Sequence, residues 1–244
     1  MDLFATQAET YRAARPAYPD TLFQQLADLS PQRRLAWDCG AGSGQATLGL
    51  SRHFATVLAT DRSLPQLRRL PAHTGIIVAQ ARAEQAPLSN DGADVITVAQ
   101  ALHWFPLTAF YREVARVLRP GGLLAVWSYG RIQVSPGVDR LVAELHDARL
   151  GRWWDDARIH VETGYRDLPF PYPLLPSTAF PDRLDADWTV DRMLAYLESW
   201  SALQTCRRET GEDPLLSLEP ALRQAWGAGR RRVWWPLTVR VGRA

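Results

Sequence analysis

The sequence predicts an α/β fold built on a doubly wound, mostly parallel sheet. Short apolar segments with the character of buried strands alternate with segments of helical periodicity through residues 21–130. A glycine-rich turn, residues 40–44, joins the first of these strands to the helical segment that follows. An alternation of this kind is typical of parallel strands joined by right-handed crossovers.

The first half of the chain supplies most of the predicted elements. Residues 1–20 are aromatic and basic, and a helix with Leu22, Phe23, Leu26 and Leu29 on one face is expected to follow. The expected strands are 35–39, 56–60, 75–79, 94–99 and 123–127. Helices are expected at 45–54, 64–70 and 107–118, and Arg119-Pro120-Gly121-Gly122 ends the last of them.

The composition changes after about residue 150. Seven of the ten tryptophans lie beyond residue 130, and five prolines fall within residues 169–181. We interpret this part as a rigid, aromatic and proline-rich cap over the edge of the sheet. Helical periodicity appears at 138–148 and 190–203, and residues 233–241 predict a last strand in which Pro236 favours a bulge or an edge position.

Composition and charge exclude several classes of function. At 244 residues and 46% hydrophobic content, the chain suits one α/β domain with an elaboration. The net charge is only +2, and arginines interleaved with acids argue against a nucleic-acid partner. Two cysteines and five scattered histidines lack the spacing of metal ligands. Without a membrane-length apolar run or a signal-peptide pattern, we expect a soluble, cytoplasmic protein with no metal and no membrane contact.

The glycine-rich turn predicts a nucleotide-type site. Gly40, Gly42 and Gly44 let the backbone approach a ligand closely, and the N-H groups at the start of the next helix favour an anionic group. The spacing differs from the dinucleotide fingerprint G-x-G-x-x-G, because Gln45 occupies the position of the third glycine. In addition, the acidic residue Asp38 lies two residues before the first glycine. A plain tight connection is the alternative that the turn alone leaves open.

Four motifs of the sequence occur together in one known family. They are Asp38-x-Gly40-x-Gly42-x-Gly44, Gln100-Ala101-Leu102-His103-Trp104-Phe105, Arg119-Pro120-Gly121-Gly122 and Tyr11-x-x-x-Arg15-Pro16-x-Tyr18-Pro19. The chain resembles the class I S-adenosylmethionine-dependent methyltransferases of the type 11 group, in particular the trans-aconitate methyltransferase-like branch. The resemblance covers residues 4–130 well and the cap more loosely. It implies a Rossmann-like fold with a seven-stranded sheet and S-adenosylmethionine as the cofactor.

The resemblance also implies a set of cofactor-binding residues. Asp61 ends the second strand, where a carboxylate can accept both ribose hydroxyls. Ala83-Glu84 occupies the position that borders the adenine, and Arg82 stands where many relatives have Asp or Ser. Arg15 is expected to bind the carboxylate of the methionine part, within a lid of residues 1–19. The full set is Tyr11, Arg15, Asp38, Gly40, Ala41, Gly42, Gly44, Asp61, Arg62, Ala83, Glu84 and Gln100.

His103 and Trp104, at the end of the fourth strand, are the expected catalytic residues. The residues expected to contact the substrate are Tyr18, His103, Tyr129, Arg131, Trp153 and Trp154, with Arg158, His160 and Arg166 as further candidates. Three functions stay open: O-methylation of a small carboxylic acid, O- or C-methylation of an aromatic natural product or quinone precursor, and non-catalytic binding of S-adenosylmethionine. A nicotinamide oxidoreductase ranks below them because of Gln45.

We expect the chain to divide into four parts. These are an N-terminal lid segment and first helix at 1–30, a cofactor-binding core at 31–135, a helix and substrate cap at 136–190, and C-terminal helices with the last strand at 191–244. The expected partner is a small-molecule substrate. A monomer is favoured.

Overall fold

The computed structural model describes residues 15–244, and the sheet within that range has seven strands. The strands are β1 (Leu35–Cys39), β2 (Thr56–Asp61), β3 (Ile76–Gln80), β4 (Ala93–Ala99), β5 (Leu118–Tyr129), β6 (Arg183–Trp188) and β7 (Arg231–Arg243). Their order is β3-β2-β1-β4-β5-β7-β6. The pairs among β1 to β5 are parallel, and β7 runs antiparallel to β5. The predicted mostly parallel, doubly wound sheet is therefore confirmed.

Helices connect and flank the strands in the described part of the chain. They are α1 (Asp20–Leu29), α2 (Gln45–Leu50), α3 (Leu64–Leu67), α4 (Leu107–Val117), α5 (Pro136–Ala143), α6 (Arg158–Glu162), α7 (Val190–Glu198), α8 (Ser201–Thr210) and α9 (Pro214–Trp226). α5 continues into a wider π-helical turn, Glu144–Arg149. Between residues 15 and 244, no helix has both the length and the apolar character needed to cross a bilayer.

Three details differ from the sequence-based expectation. β6 was not predicted, because its alternating Leu184, Ala186 and Trp188 stand among charged residues. The helix expected over 190–203 is two helices, since Trp200 adopts extended backbone and packs its ring against aromatic neighbours. Of the two positions that Pro236 favours, the edge is wrong, because β7 lies between β5 and β6, and the bulge stays a prediction.

The chain forms two compact units that interleave along the sequence. The first, which we call the sheet unit, comprises residues 17–130, 159–183 and 237–244 and contains β1 to β5 and the end of β7. The second, the helical unit, comprises 131–158 and 184–236 together with residues 15–16 of the described chain. It contains α5, α7, α8 and α9. The four linear parts expected from the sequence stay a prediction.

The core of the sheet unit is built from buried strands and the apolar faces of its helices. α4 buries Phe110, Val114 and Val117, as its periodicity predicts. α1 buries Phe23, whose ring fits so closely over Gly49 of α2 that a Cβ atom at Gly49 would lie 2.1 Å from it. The strand order reverses between β1 and β4, and parallel sheets bind ligands outside the carboxyl ends of the strands at such a point.

Candidate active site

A pocket of about 560 Å³ lies at the carboxyl ends of the parallel strands in the sheet unit. Cys39 and Gly40 line it after β1, and Asp61 and Arg62 line it at the end of β2. The rest of the lining comes from the segments after β3 and β4: Ala81, Arg82, Ala83, Glu84, Ala101, Trp104, Phe105 and Pro106. The pocket has the size of a small-molecule or cofactor site. Six of the predicted cofactor-binding and catalytic residues therefore meet in one cavity: Gly40, Asp61, Arg62, Ala83, Glu84 and Trp104.

The three glycines of the turn are required by backbone geometry, and two of them also by close packing. Gly40, Gly42 and Gly44 have φ of 71°, 55° and 86°, in the left-handed region that disfavours side chains. A Cβ atom at Gly40 would lie 2.7 Å from the Cβ of Ala101, and one at Gly44 would lie 2.5 Å from Leu70. Among residues 15–244, no atom would lie within 4 Å of a Cβ at Gly42. Within this part of the chain Gly42 therefore faces open space, as expected for backbone that a ligand approaches.

Asp61 holds this turn and also faces the pocket. Its Oδ2 accepts a hydrogen bond from Gly42 N at 2.9 Å, and its Oδ1 accepts one from Ser63 N at 2.8 Å. Each carboxylate oxygen has a second lone pair, so both can still accept a hydroxyl. This arrangement fits the predicted role of Asp61 in binding a ribose.

Asp38 is fully buried beneath the turn and is not among the residues that line the pocket. Its Oδ2 accepts from the hydroxyl of Thr47 at 2.6 Å, and its Oδ1 accepts from Thr97 at 2.9 Å. Burial raises the pKa of the Asp38 carboxyl to about 6, although both hydrogen bonds act to lower it. The structure thus gives Asp38 a supporting role that joins β1, α2 and β4. Its direct contact with a cofactor stays a prediction.

The segment after β4 carries the predicted catalytic residues on a strained backbone. Gln100 has φ of 57°, and its side-chain amide donates to the carbonyl of Tyr129 at 3.2 Å. A short 3-10 turn, Leu102–Trp104, follows. The rings of His103 and Trp104 lie 4.6 Å apart, and Trp104 is 56% exposed although it lines the pocket. His103 is therefore positioned beside the pocket, next to a lining residue.

Tyr165 is a residue of this site that the sequence did not reveal. It is fully buried, and its hydroxyl lies 3.0 Å from Nδ1 of His103. The two rings are nearly parallel, with centroids 5.9 Å apart. No motif marks Tyr165, and only its position after Gly164 hints at a turn.

Two predicted substrate residues lie together in the aromatic core of the sheet unit. The ring of Tyr18 is 5.5 Å from Trp127 and 6.4 Å from Tyr129. Burial, the largest cause, raises the pKa of the Tyr18 hydroxyl well above its usual value. Tyr18 is therefore neutral at physiological pH, and neither Tyr18 nor Tyr129 is among the residues that line the pocket.

The remaining predicted substrate residues have local partners in the helical unit. Arg131 makes a two-pronged ion pair with Asp147 at 2.9 and 2.7 Å, so its charge is already compensated. Trp154 stacks under the guanidinium of Arg158 at 4.0 Å, and Trp153 lines a separate pocket of about 380 Å³. The roles of Arg131, Trp153 and Trp154 in binding substrate stay predictions.

Of the expected lid, residues 1–19, the structure describes residues 15–19. Arg15 donates to the carbonyl of Ser199 at 2.9 Å, within the helical unit. Tyr11 lies outside the described residues. His160 and Arg166, the further candidates for substrate contact, lie within α6 and just after it. His160 pairs with Asp167 at 2.5 Å, and Arg166 is exposed. A lid over the cofactor stays a prediction.

The fold and this pocket define an α/β protein with a nucleotide-type cofactor site, and comparisons with known proteins agree. The family model described as "Methyltransferase domain" matches residues 37–126. A solved structure described as a type II methyltransferase from Anaeromyxobacter dehalogenans is 45% identical, with a TM-score of 0.86, over 94% of this chain and 97% of that one. A protein of Dictyostelium discoideum described as a methyltransferase is 31% identical over 92% of this chain and 86% of its own length. A malonyl-[acyl-carrier protein] O-methyltransferase of Dechloromonas aromatica is 30% identical over 132 residues, 50% of each chain.

The chain belongs to the class I S-adenosylmethionine-dependent methyltransferases. The match to the Dictyostelium protein extends over nearly the whole chain, and the seven-stranded sheet is the Rossmann-like sheet of that class. The protein is accordingly a methyltransferase whose cofactor is S-adenosylmethionine.

Replacing Asp38 by asparagine should change how stability depends on pH. The folded state binds the Asp38 proton more tightly than the unfolded chain, whose carboxyl has a pKa of 3.8. The stability contributed by this group is therefore full below about pH 4 and is lost as the pH rises toward 6. We expect urea unfolding to show that Asp38→Asn gains about 3 kcal/mol relative to the wild type between pH 4 and pH 7.

The control for this measurement is Asp91→Asn, which changes an exposed carboxyl in a turn. Its stability relative to the wild type should stay level over the same range. If Asp38→Asn and the wild type lose stability in parallel, the buried carboxyl does not have the raised pKa.

Proposed function

We propose that the protein transfers the methyl group of S-adenosylmethionine to an oxygen of a small carboxylic acid, within the trans-aconitate methyltransferase-like branch. The observation that carries this proposal is the pocket at the carboxyl edge of the sheet, with Trp104 on its wall and His103 beside it. These residues stand at the sheet edge where the reacting groups of an α/β enzyme gather.

The residues of the pocket fit S-adenosylmethionine. Gly42 lies two residues after the pocket-lining Gly40, and the space that the described residues leave beside it suits the methionine part. The carboxylate of Asp61 has acceptor capacity left for the ribose hydroxyls. Ala83 and Glu84 line the same cavity and are assigned to the adenine. Arg82 is exposed at the rim, so we assign the adenine contact to the backbone of Ala83 instead of to that side chain.

Methyl transfer requires little of the protein beyond positioning the acceptor oxygen. When bound, the cofactor supplies a methyl group on a positively charged sulfur, which is already an activated electrophile. The chain must hold an acceptor oxygen in line at roughly 3 Å and exclude water. We assign orientation of the acceptor to His103, and shielding from water to the ring of Trp104.

A carboxylic acid suits a site of this kind because it needs no general base. With a pKa near 4, such an acid is ionised at neutral pH and presents a ready nucleophile. The Dechloromonas relative is named for O-methylation of a malonyl group, which ends in a carboxyl. That name supports a carboxylate acceptor for this chain without specifying which one.

An aromatic acceptor is the second candidate. The aromatic rings of Trp104 and Phe105, which line the pocket, favour it, because aromatic side chains suit flat rings. Methylation of a phenol would need His103 to remove a proton, and this requirement separates the two candidates.

Asp61→Ala is expected to weaken cofactor binding. The change removes a charged acceptor of two hydrogen bonds from the ribose, so the loss should be about 2 to 4 kcal/mol in a calorimetric titration with S-adenosylmethionine. Asp61→Asn keeps one acceptor oxygen and should lose less. Asp155→Ala, which removes an exposed carboxylate of the helical unit, serves as the control. An unchanged dissociation constant in folded Asp61→Ala would remove Asp61 from the site.

His103→Asn tests the class of acceptor. If the substrate is a carboxylic acid, turnover should fall by less than about 30-fold, because no proton has to be removed from the nucleophile. The assay follows methyl transfer to a panel of mono- and dicarboxylic acids, with His73→Asn, an exposed histidine, as the control. A loss of about 10³-fold or more that becomes milder as the pH rises would instead indicate a hydroxyl acceptor.

A further inference from the structure

Two strained residues flank His103 in the structure. The residues other than glycine with positive φ in the described chain are Asp91, Gln100 and Tyr165. Asp91 lies in an ordinary Asn-Asp-Gly turn, where this conformation is common. Gln100 and Tyr165, at φ of 57° and 59°, have long or bulky side chains for which it is costly. Strain of this kind persists only where the surroundings enforce it, and it is concentrated at functional sites.

Hydrogen bonds from several elements of the sheet unit fix the turn that carries Tyr165. The guanidinium of Arg240, on β7, donates to the carbonyls of Tyr165 and Leu168. The hydroxyl of Ser128, on β5, donates to the carbonyl of Val161 at 3.2 Å. A further bond, 2.7 Å long, joins the hydroxyl of Tyr111 to the carbonyl of Pro169.

Close packing adds to these hydrogen bonds. Gly164, which has φ of 65°, lies so near Thr238 that a Cβ atom would be 2.5 Å from its Oγ1. The backbone N-H of Tyr165 donates to the carbonyl of His160 at 2.7 Å. The turn is thus fixed in a strained form, and the result is a fully buried Tyr165 hydroxyl 3.0 Å from Nδ1 of His103.

We propose that Tyr165 is a positioning residue that donates its hydroxyl hydrogen to Nδ1 of His103 and so fixes both the orientation and the tautomer of that ring. A phenol O-H is a stronger donor than a neutral imidazole N-H, and an imidazole nitrogen is a stronger acceptor than a phenol oxygen. The bond therefore runs from Tyr165 to His103. With Nδ1 accepting, the ring proton sits on Nε2.

This tautomer determines what His103 can do, and this part of the inference rests on the proposed function. A histidine that carries its proton on Nε2 offers that nitrogen as a hydrogen-bond donor, and a carboxylate accepts such a bond. A general base acting through Nε2 would need the opposite tautomer, with the proton on Nδ1. Tyr165 thus favours an ionised acceptor over one that must lose a proton.

Two-bond ¹H–¹⁵N NMR spectra of the labelled protein alone test the proposal. The His103 signals are assigned by their loss in His103→Asn, and the chain has only five histidines to resolve. We expect the wild type to show the single Nε2-H tautomer at pH 7.5. Tyr165→Phe, which keeps the buried ring, should convert His103 to a mixture of tautomers.

The matched control is Tyr111→Phe, which also removes one tyrosine hydroxyl near this turn, but one that donates to the carbonyl of Pro169 instead of to His103. Its His103 signals should equal those of the wild type. An Nδ1-H tautomer in the wild type, or an unchanged tautomer in folded Tyr165→Phe, would overturn the proposal.

A kinetic measurement separates this inference from the proposed function. With an acid that the wild type methylates, Tyr165→Phe should lower kcat about 2- to 10-fold, the effect of one neutral hydrogen bond, and leave the KM for S-adenosylmethionine unchanged. Equal kcat in Tyr165→Phe and Tyr111→Phe would contradict a positioning role. If the wild type methylates none of the acids, the proposed substrate class fails while the NMR result on Tyr165 stands by itself.

Discussion

The buried carboxylate of Asp38 is the interaction on which the cofactor turn depends. It lies near the end of β1, two residues before Gly40, and accepts hydrogen bonds from the hydroxyls of Thr47 on α2 and Thr97 on β4. One side chain thus ties together the strand, the helix and the neighbouring strand that meet at the point where the sheet reverses its order. The cost of burying this carboxyl appears as its raised pKa.

Asp61, at the end of β2, stabilises the same glycine turn. Its carboxylate bonds the backbone of Gly42, so the residue assigned to the ribose also fixes the turn assigned to the methionine part. The indole N-H of Trp37 donates to Thr60 at 2.8 Å and joins β1 to β2 just beneath this contact. The site is therefore held by short polar links between adjacent strands, and Gly42 leaves space in front of them while Gly40 and Gly44 pack closely against their neighbours.

Much of the site could be predicted because it depends on local sequence. The turn at 40–44 follows the end of β1, and Asp61 is the last residue of β2. The carboxyl ends of parallel strands meet at one edge of the sheet, so the sequence alone places these residues together. Tyr165 could not be found in this way, because it meets His103 across 62 residues and through a strained backbone that no sequence pattern marks. The ion pair between Arg131 and Asp147 could not be predicted either. Asp147 lies in the π-helical turn, whose geometry differs from that of the regular helix expected there.

The measurement that tests the central claim most directly is a crystal structure of the protein with S-adenosylhomocysteine. The account predicts the nucleoside in the pocket at the ends of β1, β2 and β4, with the ribose hydroxyls bonded to the carboxylate of Asp61. It also predicts the adenine beside Ala83 and Glu84 and the amino-acid part in front of Gly42. A nucleoside bound elsewhere, or bound here without contact to Asp61, would contradict the account.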